Sequence, residues 1–151
     1  MTPKPDPRPL GGAVSYLVLF VCLKNGGKSQ MAGGLMRHLA GDAVTVYTAG
    51  TKPGTSLNAQ SVDSLAELRI DISGEHTKPI TTDMLANVNL IITLGSEAVV
   101  DPIPGIEIHN WDTDEPSLRG IDGMEGMRLV RDDIKNQVLA LVKELSIDTV
   151  P

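Results

Sequence analysis

A continuous apolar run from Leu17 to Val21 constrains this chain more than any other feature of its sequence. A strand that is apolar on both faces needs cover on both, which is typical of a parallel sheet with helices above and below it. Three further apolar segments are Val44 to Tyr47, Val88 to Leu94 and Ile106 to His109. Helical stretches separate all four, so the sequence predicts an α/β fold with a four-stranded parallel sheet and helices on both faces.

Helical periodicity fills the intervals between the predicted strands. The clearest helix spans residues 123 to 145, where apolar side chains recur every three or four positions. Its apolar face consists of Met127, Val130, Ile134, Val138, Leu141 and Leu145, and its solvated face carries Arg128, Arg131, Asp132 and Asp133. Shorter helices are predicted from Ser29, from an N-cap at Asn58, and around Thr82 to Ala86. Their inward residues are Met31, Leu35 and Leu39 in the first, and Val62, Leu65 and Ala66 in the second.

The chain of 151 residues predicts a single domain over 16–151, preceded by a flexible leader at 1–15. Prolines at positions 3, 5, 7 and 9 keep the leader out of any strand ladder, so we expect it to have no catalytic role. The apolar stretch before Cys22 is too short to cross a bilayer, and its last residues are too bulky for signal-peptide cleavage. We therefore expect a cytoplasmic protein.

Composition excludes several functions. A net charge of -6 with only 13 Lys and Arg argues against nucleic-acid binding, because phosphate neutralisation needs clustered cations. Aromatic residues make up 3% of the chain, which leaves little material for stacking on large flat ligands. The single cysteine excludes an internal disulfide, a cysteine-rich zinc site and a redox cycle between cysteines of one chain. The three histidines, His38, His76 and His109, have no metal-site spacing, and we predict no metal.

The loop after the first predicted strand reads CLKNGGKSQ over residues 22–30. Ligands of parallel sheets bind at the carboxyl ends of strands, where this loop begins. Asn25, Gly26 and Gly27 tolerate left-handed backbone, so successive N–H groups can form an anion-binding nest, to which the next helix adds the positive end of its dipole. The predicted oxyanion-binding residues are Leu23, Lys24, Asn25, Gly26, Gly27, Lys28 and Ser29.

Cys22 is the candidate nucleophile of this loop. Buried cysteines are usually core residues, but the helix N-terminus and the Lys28 ammonium stabilise a thiolate at this position. The hydroxyl of Ser29 can donate a hydrogen bond to that thiolate. An activated thiol beside a bound oxyanion therefore predicts attack on the anion's central atom.

A cysteine, five intervening residues, a cation and a serine between a first strand and a first helix resemble the motif of the low-molecular-weight tyrosine phosphatase and arsenate reductase superfamily. The stretches AGTKP at 49–53, LNAQSV at 57–62, WDTDEP at 111–116 and GMEGMRLVRDDI at 123–134 extend this resemblance to roughly residues 16 to 145. NGGKSQMA at 25–32 is similar to the branch of single-cysteine arsenate reductases that use mycothiol.

The resemblance implies a phosphatase-like fold and an arsenate reductase that acts as an arsenate-mycothiol transferase. Cys22 would be the nucleophile, Ser29 the thiolate stabiliser and residues 23–29 the anion loop. Arsenate would be the substrate and phosphate its mimic. No cofactor would be bound; mycothiol would be the thiol co-substrate and a mycoredoxin the later reductant.

The chain departs from the family pattern at three positions. Lys28 replaces the usual arginine, which removes bidentate recognition of two oxygens and should impair phosphatase activity more than anion capture. Gly27 lies where thioredoxin-coupled reductases carry a further cysteine, so an external thiol must resolve the intermediate. Glu115 precedes Pro116 where the family has its acidic aspartate, and Asp114 stands one residue earlier; either carboxyl could be the acid, and alignment with the family favours Glu115.

Three other functions compete with this interpretation. A low-molecular-weight tyrosine phosphatase uses the same motif, and a non-catalytic oxyanion-binding module would need the nest but not the thiol. Gly27, Lys28 and Ser29 also match the end of the nucleotide-binding pattern G-x-x-x-x-G-K-[ST]. Cys22 occupies the position of its first glycine, which argues against nucleotide hydrolysis.

Overall fold

The structure is a computed structural model that describes residues 16–146. In chain order the main elements are β1 (Tyr16–Cys22), α1 (Lys28–Ala40), β2 (Val44–Gly50), α2 (Ala59–Ala66), α3 (Thr82–Asn87), β3 (Leu90–Leu94), β4 (Glu107–Trp111) and α4 (Gly123–Glu144). Short 3-10 turns occur at Gly41–Ala43 and Pro116–Arg119. The predicted leader at 1–15 and residues 147–151 lie outside the described residues.

The four strands form one parallel sheet in the order β2-β1-β3-β4, which confirms the predicted sheet. The chain places β2 on one side of β1 and then crosses to place β3 on the other. The carboxyl ends of β1 and β3 therefore border the topological switch point where ligands bind in such sheets. Cys22, the last residue of β1, lies at this edge opposite Gly50 of β2.

Helices cover both faces of the sheet, as the continuous apolar run of β1 requires. Phe20 packs on one side in a core that includes Met31 of α1 and Ile134 of α4. Leu19 faces the other side, in a smaller core to which Met84 of α3 contributes. Successive residues of β1 thus serve opposite cores, because strand side chains alternate between the two faces.

The predicted strands and helices all exist, with ends that differ by a few residues, but the prediction that helices separate all four strands was wrong, because β4 follows β3 directly. β2 continues to Gly50, because its parallel pairing with β1 persists to Cys22. Asn58 caps α2, its side chain accepting the Ser61 N–H at 2.9 Å. The prediction that Ala66 faces inward was wrong: the buried face of α2 carries Ser61, Ser64 and Leu65, and Ala66 is exposed.

Arg131 corrects the predicted solvated face of α4, since its side chain is buried. Its Nη1 donates to Ser64 O at 2.9 Å and to a carboxylate oxygen of Glu67 at 2.7 Å. Hydrogen bonds from Arg128 and Arg131 lower the pKa of Glu67 to about 2. This network joins α4 to α2. Periodicity misses it because the partners are far apart in sequence.

Candidate active site

The thiol of Cys22 is 7% exposed and lies in the wall of an open cleft at the carboxyl end of β1. Its Sγ lies 2.9 Å from Ser29 Oγ and accepts a hydrogen bond from Asn25 N–H at 3.2 Å. The structure thus brings together the predicted nucleophile and the serine predicted to support it. Both neighbours can donate a hydrogen bond to the sulfur, which is the contact that a nucleophilic thiol needs.

Four backbone carbonyls of the loop accept hydrogen bonds from N–H groups of the segment 51–58. The bonds are Thr51 N to Cys22 O (3.1 Å), Lys52 N to Leu23 O (2.7 Å), Gly54 N to Lys24 O (2.9 Å) and Asn58 N to Gly26 O (2.7 Å). When the carbonyls of such a loop are hydrogen-bonded to a neighbouring segment, its N–H groups remain available to bind an anion. The arrangement therefore makes an anion-binding concavity beside Cys22.

Asn25 sets the turn of the loop. It has φ of +57°, is fully buried, and its Nδ2 donates to Ser29 Oγ at 2.7 Å. Gly26 and Gly27 do not use the left-handed backbone that glycine tolerates, because neither has a positive φ. Space explains the glycines instead: a Cβ on Gly26 would lie 3.0 Å from Ser56 O, and one on Gly27 would lie 3.1 Å from Ser61 Oγ.

Lys28 is the first residue of α1, one position before the predicted start. Gly27 is the N-cap and provides no side-chain acceptor, so the first N–H groups of the helix remain available to an anion. Lys28 lines the cleft together with Cys22, and Lys24 lies on the exposed rim. Backbone donors, a helix dipole and an ammonium thus meet at one point, which suits a multiply charged oxyanion.

Lys78 belongs to the support of this loop, and sequence reasoning missed it. Its Nζ donates to Thr48 Oγ1 and to His76 O, each at 3.0 Å, and lies 3.5 Å from Asn25 Oδ1. Its backbone N–H also donates to Asn25 Oδ1 at 3.1 Å. Burial lowers the pKa of the Lys78 ammonium. No local pattern marks this residue, because its partners come from the end of β2 and the anion loop.

The two carboxyls predicted as alternative acids occupy different places. Glu115 lines the same cleft as Cys22, whereas Asp114 faces an adjoining depression that Lys28 and Glu115 also line. Both oxygens of Asp114 accept from Arg119, at 2.7 and 3.1 Å. These hydrogen bonds hold the pKa of the Asp114 carboxyl below its ordinary value. The geometry favours Glu115 as proton donor; its role stays a prediction.

The cleft has a volume of about 950 Å³, far more than one oxyanion occupies. Its walls carry uncharged polar side chains of the 54–61 segment, including Thr55 and Ser56, and apolar side chains of α4, including Met127 and Val130. None of its lining residues is aromatic. The space therefore suits a flexible second substrate beside the anion rather than a tightly held ring.

Two further observations concern residues 16–146. Within this range no three His, Cys, Asp or Glu side chains lie together as a metal site would require. No helix in the same range is both long and apolar enough to cross a membrane.

A parallel sheet with a buried cysteine at the head of an anion-binding loop defines a class of cysteine-dependent enzymes that act on oxyanions. The chain belongs to the family of the low molecular weight phosphotyrosine protein phosphatases, whose sequence profile matches residues 17–150.

Several proteins similar to this chain are arsenate reductases. The arsenate reductase of Staphylococcus aureus strain N315 is 34% identical over 121 residues, which cover 78% of this chain and 89% of that protein. The structure of a thioredoxin-dependent arsenate reductase of Corynebacterium glutamicum is 30% identical, with a TM-score of 0.74 over 87% of this chain; the match spans only 62% of that protein. An arsenate reductase in the phosphate binding state is 25% identical, with a TM-score of 0.70 over 85% of this chain and 98% of its own.

Proposed function

We propose that the protein is an arsenate reductase that transfers arsenic from a Cys22 adduct to an external thiol. The observation that carries this proposal is the loop itself: four of its carbonyls accept hydrogen bonds from the 51–58 segment, and its Asn25 N–H donates to the Cys22 thiol. The similarity to arsenate reductases and to a phosphate-binding member supports arsenate as the anion. Phosphate, with the same charge and shape, would compete for the loop.

In the first step the Cys22 thiolate attacks arsenic and forms an S–As bond. One As–O bond breaks, and the departing oxygen takes a proton from Glu115 and a second proton already on the oxyanion, so that it leaves as water. Loop amides and the Lys28 ammonium stabilise the charge of the remaining oxygens. Arsenic is still pentavalent after this step, so no electron has been transferred.

In the second step an external thiolate attacks the same arsenic. The bond between arsenic and the external sulfur forms, the Cys22–arsenic bond breaks, and Cys22 leaves as a thiolate that Ser29 and Asn25 stabilise. Reduction follows when a further thiolate attacks the sulfur of the released adduct. A disulfide forms, the S–As electron pair stays on arsenic, and arsenite is released.

The thiol must come from outside the chain, because the sequence contains one cysteine. We propose mycothiol as this thiol, a mycoredoxin as the reductant and the cytoplasm as the location, on the family resemblance of the 25–32 stretch. The thioredoxin dependence of the Corynebacterium glutamicum protein makes thioredoxin the competing partner.

Arsenite formation tests the proposal directly. The protein is incubated with arsenate and mycothiol, with and without a mycoredoxin and its reducing system, and in parallel with reduced thioredoxin alone. We expect arsenite only in the complete mycothiol system, and an arsenic-mycothiol adduct when mycoredoxin is omitted. Equal turnover with thioredoxin alone would overturn the thiol assignment, and no arsenite in either system would overturn the proposed function.

A second prediction separates this function from that of a tyrosine phosphatase. The cleft has no aromatic lining residue, and Ser117 and Leu118, which follow Pro116, are exposed. Lys28 offers a point charge where a guanidinium would bind two oxygens. We therefore expect slow hydrolysis of p-nitrophenyl phosphate, and an increase of about tenfold in kcat for Lys28→Arg, which restores a bidentate donor.

Lys52→Arg is the matched control, because Lys52 is exposed and its substitution makes the same chemical change. We expect its p-nitrophenyl phosphate hydrolysis to equal that of the unchanged protein. Efficient hydrolysis by the unchanged protein, with no gain from Lys28→Arg, would instead favour the phosphatase function.

A further inference from the structure

The segment that carries Glu115 is fixed to α4 by polar contacts. The backbone N–H of Asp114 donates to Asp133 Oδ2 of α4 at 2.8 Å. Gln137, one turn further along α4, donates from Nε2 to Asp112 O at 2.9 Å. The backbone segment that precedes Glu115 is therefore held in place by α4 residues that do not line the cleft.

Arg119 joins the end of this segment to its beginning at Asp114. Its two terminal nitrogens bond the two oxygens of Asp114, across the 3-10 turn Pro116–Arg119. A fork of this kind restricts both side chains more than a single contact does. Asp114 is thereby kept at the adjoining depression, away from the sulfur of Cys22.

Of the two predicted acids, Glu115 is the one that lines the cleft of the nucleophile. It lines the cleft with Cys22, and no cation among residues 16–146 forms an ion pair with it. Its position depends on the turn that follows it, since Leu118 N–H donates to Glu115 O at 3.1 Å within the segment that Arg119 closes.

We propose that Arg119 is a positioning residue for the proton-transfer step: by binding Asp114 in a forked pair it orients the turn so that Glu115, and not Asp114, serves the departing oxygen. The inference rests on the proposed arsenic transfer. Arg119 does not line the cleft that holds Cys22, so its effect must pass through Glu115.

Other charged groups face this pair from neighbouring elements. Lys28 of α1 and Asp122, just before α4, line the adjoining depression, and Asp133 of α4 lies at the backbone of Asp114. Across the cleft, Glu97 and Lys24 belong to loops that follow β3 and β1. None of these groups bonds the Asp114 carboxylate, which leaves Arg119 as the side chain that orients it.

A double-mutant cycle tests the proposal. Arg119→Gln, Glu115→Gln and the double variant are compared with the unchanged protein for arsenic transfer to mycothiol at a fixed pH. We expect Glu115→Gln to lower kcat about 100-fold, and Arg119→Gln to lower it about tenfold with KM for arsenate unchanged. In the Glu115→Gln background, Arg119→Gln should cost less than about twofold, because the residue through which it acts is gone.

Arg128→Gln is the matched control, since Arg128 is similarly exposed and also makes a forked pair, but with Glu67 away from the cleft. Its kcat should stay unchanged in both backgrounds. In all variants, phosphate should still protect Cys22 from alkylation, which verifies an intact anion loop. Arg119→Lys, which keeps the charge but not the fork, should recover part of the loss.

The outcomes are distinguishable. If the unchanged protein transfers no arsenic, the proposed function fails. If it does, and Arg119→Gln either leaves kcat unchanged or costs the same factor with and without Glu115, the positioning role of Arg119 is wrong.

Discussion

Replacing Cys22 by serine is expected to abolish arsenic transfer, with a loss of at least about 10⁴-fold in kcat. A serine hydroxyl fits between Ser29 Oγ and Asn25 N–H, but it does not ionise at neutral pH and forms no stable adduct with arsenic. The anion loop consists of backbone and remains. Phosphate binding, measured by calorimetry, should therefore persist in the Cys22→Ser variant, while iodoacetamide labelling should vanish.

Ser29→Ala serves as the comparison, because it removes one donor to the sulfur and keeps the thiol. We expect a loss of about tenfold, in the range of one hydrogen bond to a charged group. Labelling of this variant should slow, and phosphate should still protect it. Full activity in Cys22→Ser would identify a different nucleophile, and phosphate binding by a protein that never transfers arsenic would favour the non-catalytic oxyanion-binding module.

Replacing Gly50 by alanine is expected to disable the site without touching any group that reacts. An added Cβ would lie 2.9 Å from Leu23 O and from Lys24 C, and 3.0 Å from Asn25 N. These are backbone atoms of the anion loop, so the loop itself must shift. We expect arsenic transfer to fall at least about 100-fold, because a shift of the loop by about 1 Å would misplace the anion relative to the Cys22 thiol. Phosphate should no longer protect Cys22 from alkylation.

The same substitution should lower stability, since overpacking typically costs about 1–3 kcal/mol. Thermal unfolding should show a Tm lower by several degrees. Gly74→Ala is the matched control, because a Cβ there meets no atom within 4 Å. It should match the unchanged protein in Tm and activity. A Gly50→Ala variant with full activity and protection would show that the contact of β2 with the loop does not shape the site.

Prediction succeeded where the determining contacts are local. The run from Leu17 to Val21 and the three-to-four periodicity of α4 each repeat within one element, so their physical meaning is contained in adjacent residues. The anion loop is also local: Cys22, Asn25, Lys28 and Ser29 lie within eight consecutive positions. A strand that ends in a glycine-rich turn before a helix must bring such residues together.

The sequence did not predict the features that depend on contacts between distant parts of the chain. Lys78 supports the loop from a segment more than 50 residues away, and Arg131 is buried only because Glu67 and the Ser64 carbonyl meet it. The sequence left both Asp114 and Glu115 open as acids, with alignment to the family favouring Glu115. The fork with Arg119 separates them, because side-chain direction depends on the turn that the folded segment adopts.

The sequence by itself therefore determined the strands, the helices and the sheet class, and it predicted the residues that the fold brings together around Cys22. The tertiary structure alone decided which glycines serve close approach rather than backbone freedom, which of the two predicted acids lines the cleft with Cys22, and which distant cation supports the loop. The physical reason is that hydrophobic periodicity and backbone chemistry act over a few residues. Packing and hydrogen bonding between elements depend instead on which strands and helices the crossover connections bring next to each other.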